Sequence, residues 1–265
     1  MTAADGRSCL TLRLAGPLQS WGSASQFNRR ETDPVPSKSG VIGLLAAAQG
    51  RRREDPLLDL VRLRLGVRVD QPGTLLRDYH TVSDYRGNPL LSASIGSKGH
   101  QTKTAPAKYT GVTERFYLQD AVFVAVVEGE RQLLSGLAEA VTHPVFPLAL
   151  GRRCCVPSQP LLLSPASDGP LWGEPLEATL GAVPWQASAW QRHGSNAPTV
   201  TLSVTYDSEL GDDVRGDVPL SFAHRDRAFS TRRVARSRVE VPTGTEGDPV
   251  STRRTTHDPF TLLGW

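Results

Sequence analysis

The sequence predicts an α+β fold, with a ferredoxin-like domain over residues 1–163, a long protruding β-hairpin at about 74–116, and a smaller β-rich part over 164–265. Three observations predict it. The first 163 residues read in the order strand, helix, strand, excursion, strand, helix. The excursion, from residue 74 to 115, is too long for an ordinary connection and has strand-like flanks. A Pro/Gly-rich stretch at 164–175 then separates this part from segments that alternate as strands.

The elements follow in order. Residues 8–14 form an apolar first strand that runs into the loop AGPLQSWG at 15–22. Pro36 disfavours helix before it, Ser37 is a good N-cap, and the run from Lys38 to Gln49 forms the first helix. Its first turn holds Lys38, Ser39 and Gly40, where backbone N–H groups point outward unpaired, so it is expected to attract an anion, phosphate above all. Gln19, Ser20 and the Trp21 indole would lie beside it, completing a site for a phosphate and a base.

In the second strand, residues 62–70, Leu63, Leu65, Val67 and Val69 alternate with Arg64, Gly66 and Arg68, which predicts a sheet with one wet face. Residues 121–127 are an apolar strand. The helix at 130–141 carries Leu133, Leu134, Leu137, Ala138 and Val141 at helical spacing and stops before Pro144. A fourth strand is expected near 160–163. The resulting fold is shared with the RNA recognition motif (RRM-like), although the aromatic signature of that motif is missing. Beyond it, Trp172 would anchor the 164–175 linker, residues 199–206 and 232–241 are strands, and 243–258 read as a loose tail.

Composition narrows the function classes. The chain has 265 residues, 38% of them hydrophobic, with 20 Pro and 24 Gly, which suits a turn-rich globular protein. No apolar run approaches the ~20 residues needed to span a bilayer, and the N-terminus lacks a signal peptide's layout, so a cytoplasmic protein with no membrane contact is expected. Cys9, Cys154 and Cys155 show neither a disulfide framework nor metal-ligand spacing.

Net charge is only +3, but its distribution is uneven. Of four lysines, Lys98, Lys103 and Lys108 fall in the acid-free segment 96–113, at the tip and returning leg of the hairpin. Six arginines lie between Arg225 and Arg238, where they either line a groove or solvate an edge strand. Basic clusters suit a polyanion. Tyr79, His80, Tyr85 and Tyr109 offer planar faces for stacked bases, with Tyr79 assigned to packing the hairpin base in preference to stacking.

Five blocks in order, LRLAGPLQSWG at 12–22, PSKSGVIGLL at 36–45, LRDYHTV at 76–82, YLQDAVF at 117–123 and PLALGRRC at 147–154, resemble the CasD family. That family is the Cas-five subunit of the type I-E CRISPR surveillance complex, Cascade. The resemblance implies a non-catalytic RNA-binding subunit that caps the 5′ handle of the guide crRNA, with no cofactor. It implies contacts with the CasC backbone and the large subunit CasA, and contact with target DNA through the complex.

Carried onto this chain, the resemblance assigns Gln19, Ser20 and Trp21 to handle bases, and Lys38 and Ser39 to a backbone phosphate. Trp21 also admits a reading as an aromatic core plug. Arg77, His80, Lys98, Lys103, Lys108 and Tyr109 belong to the hairpin, or thumb, and Arg152 and Arg153 are candidates for a second phosphate. The rival reading is a metal-independent endoribonuclease that processes precursor crRNA, with His80, His100, Tyr109 and Lys108 supplying base, acid and cation. No catalytic carboxylate cluster, metal site or phosphate-binding Gly-Lys-Ser/Thr loop is visible in the sequence.

Overall fold

The computed structural model of the chain describes residues 6–22, 28–90, 107, 109–165, 169–193, 195 and 197–243. In chain order the elements are β1 (Arg7–Ala15), β2 (Leu18–Gln19), β3 (Arg29–Arg30), α1 (Lys38–Ala48), α2 (Leu58–Val61), β4 (Arg64–Gln71), β5 (Thr74–Ser83) and β6 (Thr110–Gln119). They continue with β7 (Val122–Glu130), α3 (Arg131–Thr142), β8 (Leu162–Leu163), α4 (Leu176–Ala182), α5 (Ala189–His193), β9 (Thr199–Asp207), β10 (Asp213–Ser221) and β11 (Ala228–Pro242).

The main sheet is antiparallel throughout and runs β10-β11-β9-β4-β7-β1-β8. Its central strand β7 is a continuous apolar run buried on both faces, as a strand with covered faces requires. β1 pairs with it from Arg7↔Glu130 to Ala15↔Val122. Strands on either side of residue 163 therefore belong to one sheet, since β9, β11 and β10 extend it beyond β4.

One face of this sheet carries the principal core. Leu10, Leu12 and Leu14 of β1, Phe123, Ala125 and Val127 of β7, and Leu65 and Val67 of β4 pack under α1 and α3. α3 presents Leu134, Leu137, Ala138 and Val141 along one stripe, whereas α1 is apolar nearly all round and lies buried between the sheet and the loops above it. Ser37 caps α1, its hydroxyl accepting the Gly40 N–H at 3.2 Å.

The opposite face is not wet. Val124 and Val126 pack against Leu176, Leu180 and Val183 of the segment around α4, and a methyl at Gly66 would lie 2.8 Å from Leu176. Arg68, expected in solvent, is fully buried in an ion pair with Asp70 at 2.7 Å, and its guanidinium also donates to the Leu180, Val183 and Pro184 carbonyls. The alternation in β4 does separate two faces, but the one expected to be wet is covered. The cover came from residues with no strong helical pattern, α4 being only seven residues long. Trp172 does anchor the linker, exchanging both backbone hydrogen bonds with Cys9 and donating its indole N–H to the Leu163 carbonyl.

A second sheet stands off the first. β5 and β6 pair antiparallel over ten registers, from Thr74↔Gln119 to Ser83↔Thr110, and β2 and β3 pair with β6 along its other edge, β3 in parallel. The β6 end nearest the body, Tyr117 and Leu118, is buried, while most of β5 is exposed.

Candidate nucleic-acid interface

The loop after β1 and the start of α1 do come together, but as core. Trp21 is 1% exposed, and its ring lies on Gly40, where an added methyl would sit 2.6 Å from Cε3. The glycine in the first turn thus makes room for an indole rather than for a phosphate. Gln19, 0% exposed, donates to the Leu14 and Ala121 carbonyls at 2.9 and 2.7 Å and accepts the Trp21 indole N–H at 3.1 Å. Ser20 is also buried and its hydroxyl donates to the Phe116 carbonyl. The expectation that these three side chains meet bases is corrected: each is occupied inside the fold and shapes the loop.

The α1 start is likewise occupied by the chain itself. The Asp217 carboxylate accepts the Lys38 backbone N–H at 2.7 Å, and Lys38 Nζ donates to Asp207 at 2.9 Å. Arg232 completes the cluster with a two-pronged bond to Asp217, at 2.7 and 2.8 Å, and a bond to Asp207. Ser39 is half-buried with its hydroxyl 3.2 Å from that of Ser37. The reading of an anion-attracting helix start was right in its physics, and the anion is a carboxylate from β10. Lys38 and Ser39 therefore do not present a vacant phosphate site.

Arg152 is a tie rather than an open cation. Its guanidinium donates to the Phe116 and Arg30 carbonyls at 3.1 and 2.6 Å and lies 4.7 Å over the Tyr117 ring, which holds β3 against β6. Arg153 is exposed beside it. Cys154 is exposed with its sulfur 3.6 Å from the Tyr117 hydroxyl, and Cys155 is buried, its thiol pushed up to about 12 chiefly by burial and by the neighbouring Cys154.

What remains open is the β5–β6 ribbon. Arg77 is exposed, 4.0 Å from Glu114, and shares one face with Tyr79, which is 60% exposed rather than packed into the hairpin base. On the same face Arg29 lies 4.9 Å over the Phe116 ring and 3.7 Å from Glu114. Sequence reasoning missed Arg29, whose two-residue strand leaves no periodic signal. His80 lies on the other face, 4.0 Å from Asp78, with Thr113 directly across from it and Arg115 across from Asp78. Tyr85 and Tyr109 are exposed toward the far end. Lys98, Lys103, Lys108 and His100, as well as the tail from residue 244, lie outside the described residues.

Two of the six arginines in the C-terminal segment are paired with acids of neighbouring strands, and a third meets a carbonyl. Arg232 is held by Asp207 and Asp217, Arg236 by Asp213, and Arg233 donates to the Gly211 carbonyl. Among the described residues no group of three or more His, Cys, Asp and Glu side chains could hold a metal, and no helix is long and apolar enough to cross a membrane.

Comparison with known proteins agrees in both sequence and shape. The model of a family described as CRISPR-associated protein (Cas5) matches residues 9–235. The CRISPR system Cascade subunit CasD of Escherichia coli K12 is 37% identical over 175 residues, 59% of this chain and 70% of that protein. A chain of a solved CRISPR RNA-guided surveillance complex matches with a TM-score of 0.68 at 38% identity, covering 89% of this chain and 91% of the other. A crystal structure described as a Cas protein matches with a TM-score of 0.63 at 36% identity, over 89% and 95% of the two chains.

Proposed function

The chain belongs to the CRISPR-associated Cas5 family, and from that premise we propose that it is a non-catalytic RNA-binding subunit of a type I-E Cascade, capping the 5′ handle of the guide crRNA in the cytoplasm. Its neighbours are the CasC backbone and the large subunit CasA, and target DNA is met through the assembled complex. The reading rests on kinship with a Cascade subunit and with a chain of an RNA-guided surveillance complex.

The observation that carries it is the β5–β6 ribbon. It stands off the main sheet with exposed Arg77, Tyr79, Tyr85 and Tyr109, and its connecting segment contains Lys98, Lys103 and Lys108 without a single acid from residue 96 to 113. An extended ribbon with exposed aromatic faces and a lysine-bearing, acid-free connection suits a kinked single strand. It serves as the thumb at 74–116. The β8-β1-β7-β4 order, with α1 and α3 on one face, supports a ferredoxin-like (RRM-like) part over 1–163, whose sheet the β-rich part at 164–265 extends. With the broad sheet face covered by α4, RNA is held at the rim and along the thumb.

The experiment follows binding and cleavage of a labelled repeat-derived RNA in the same tubes, with chelator, by native and denaturing gels. Handle-dependent binding with intact RNA is expected. Cleavage at one site, abolished by His80→Ala or His100→Ala, would instead make the chain a processing nuclease.

A further inference from the structure

On the sheet face that α4 covers, two arginines hold carboxylates. Arg64 pairs with Glu128 and Glu177, each at 2.7 Å, and Arg68 pairs with Asp70. Arg13 differs. Its guanidinium makes only two long bonds, 3.3 Å to the Gln186 side-chain oxygen and 3.3 Å to the Pro160 carbonyl, and its Nε is buried without a partner. Two residues back on the same face, Thr11 is fully buried with its hydroxyl also unpartnered. A half-buried cation with orphan donors and no counter-charge destabilises the chain that carries it, unless an anion arrives from outside.

We propose that Arg13 is an anion-binding residue that receives a phosphodiester oxygen of the bound guide strand. This rests on the RNA-binding reading above and extends it to a part of the surface remote in sequence from the thumb. Burial lowers the Arg13 pKa with no carboxylate paired to it, and the nearby Asp70, bonded to the Gln186 N–H, is already held by Arg68, so an incoming phosphate supplies the missing charge. The two segments that touch the guanidinium carry no acid: residues 150–167 contain Arg152 and Arg153, and residues 182–193 contain Arg192 and an exposed Trp190. A carboxylate from a neighbouring protein would find the same guanidinium. The acid-free stretches and the exposed indole favour a polyanion carrying bases.

The test measures affinity of the full chain for handle RNA across a salt series, for wild type, Arg13→Met and Arg13→Lys, together with the Tm of each without RNA. Loss of one phosphate contact should make the log–log salt slope of Arg13→Met shallower by about 0.7, with Arg13→Lys close to wild type. Without RNA, Arg13→Met should melt at the wild-type temperature or above it, the reverse of what a purely structural arginine would do. An unchanged slope would overturn the proposal, as would a lower Tm for Arg13→Met. Failure of the wild-type chain to bind RNA at any salt would instead bring down the RNA-binding reading itself.

Discussion

The Asp217 carboxylate accepts the backbone N–H of Lys38 at 2.7 Å, so the first turn of α1 is completed by a residue on β10. Burial acts to raise the Asp217 pKa, but Arg232 and the Lys38 N–H outweigh it and hold the carboxyl below its ordinary value. A group depressed in the folded state stabilises fully above its unfolded pKa, about 3.9, and that stabilisation is lost as pH falls through the folded value. Acid unfolding followed by circular dichroism should therefore steepen below about pH 4. Asp217→Asn should cost about 1.5–3 kcal/mol at neutral pH, because Arg232 loses a two-pronged bond but keeps Asp207, and should flatten that acid limb.

Lys38→Met should behave as a stability variant. Its ammonium is buried against Asp207, which Arg232 also holds, so the loss is about 1.5–3 kcal/mol, the range for a hydrogen bond to a charged group. Thermal melts and RNA affinity measured on the same preparation should show a lowered Tm with unchanged affinity for the folded fraction. A specific loss of affinity at constant Tm would return Lys38 to the RNA site.

Gly40→Ala should cost about 1–3 kcal/mol, because the new methyl enters the Trp21 ring. Combining it with Trp21→Leu, which removes the clashing ring, should cost less than the two single changes added together. Strict additivity in urea unfolding would mean the two positions do not touch.

Thiol labelling should separate the cysteines. Burial pushes both Cys9 and Cys155 up to about 12, whereas Cys154 is exposed. Iodoacetamide at pH 8 should modify Cys154 in the native chain and all three thiols in urea. Rapid native modification of Cys9 would show that the Trp172 bridge over it opens readily.

Replacing Lys98, Lys103 and Lys108 together by alanine should reduce the RNA salt slope by about 2 if each meets one phosphate. The Tm should stay constant. An unchanged slope would remove the thumb from the RNA path.

Much of the fold was legible because its signals are local. Ser37 and Pro36 mark the α1 start, the alternation of Leu63 to Val69 marks β4, and the apolar run at 122–127 marks the central strand. The short α4 and the bulged β10, interrupted by Gly216 and Pro219, carry too little periodicity to be seen. The site was misread where tertiary partners decide. Nothing near Lys38 announces Asp217, and nothing in AGPLQSWG tells that Gln19 bonds the indole two residues on. The exposure of Tyr79 depends on how far β5 stands from the body, which its local sequence does not encode.

The tie between α1 and β10 also sets an order in time. A ribosome releases Lys38 long before Asp217, so the nascent chain carries a helix start capped by Ser37 alone, with the Lys38 N–H and ammonium unpaired until Asp207 and Asp217 emerge. Contacts of such long sequence separation slow folding and leave apolar strand edges exposed meanwhile. β4 is one such edge until β9 arrives. The last strands to be synthesised are therefore the ones that close the first helix, and a chain cut short before residue 217 lacks the groups that make its N-terminal half a finished body.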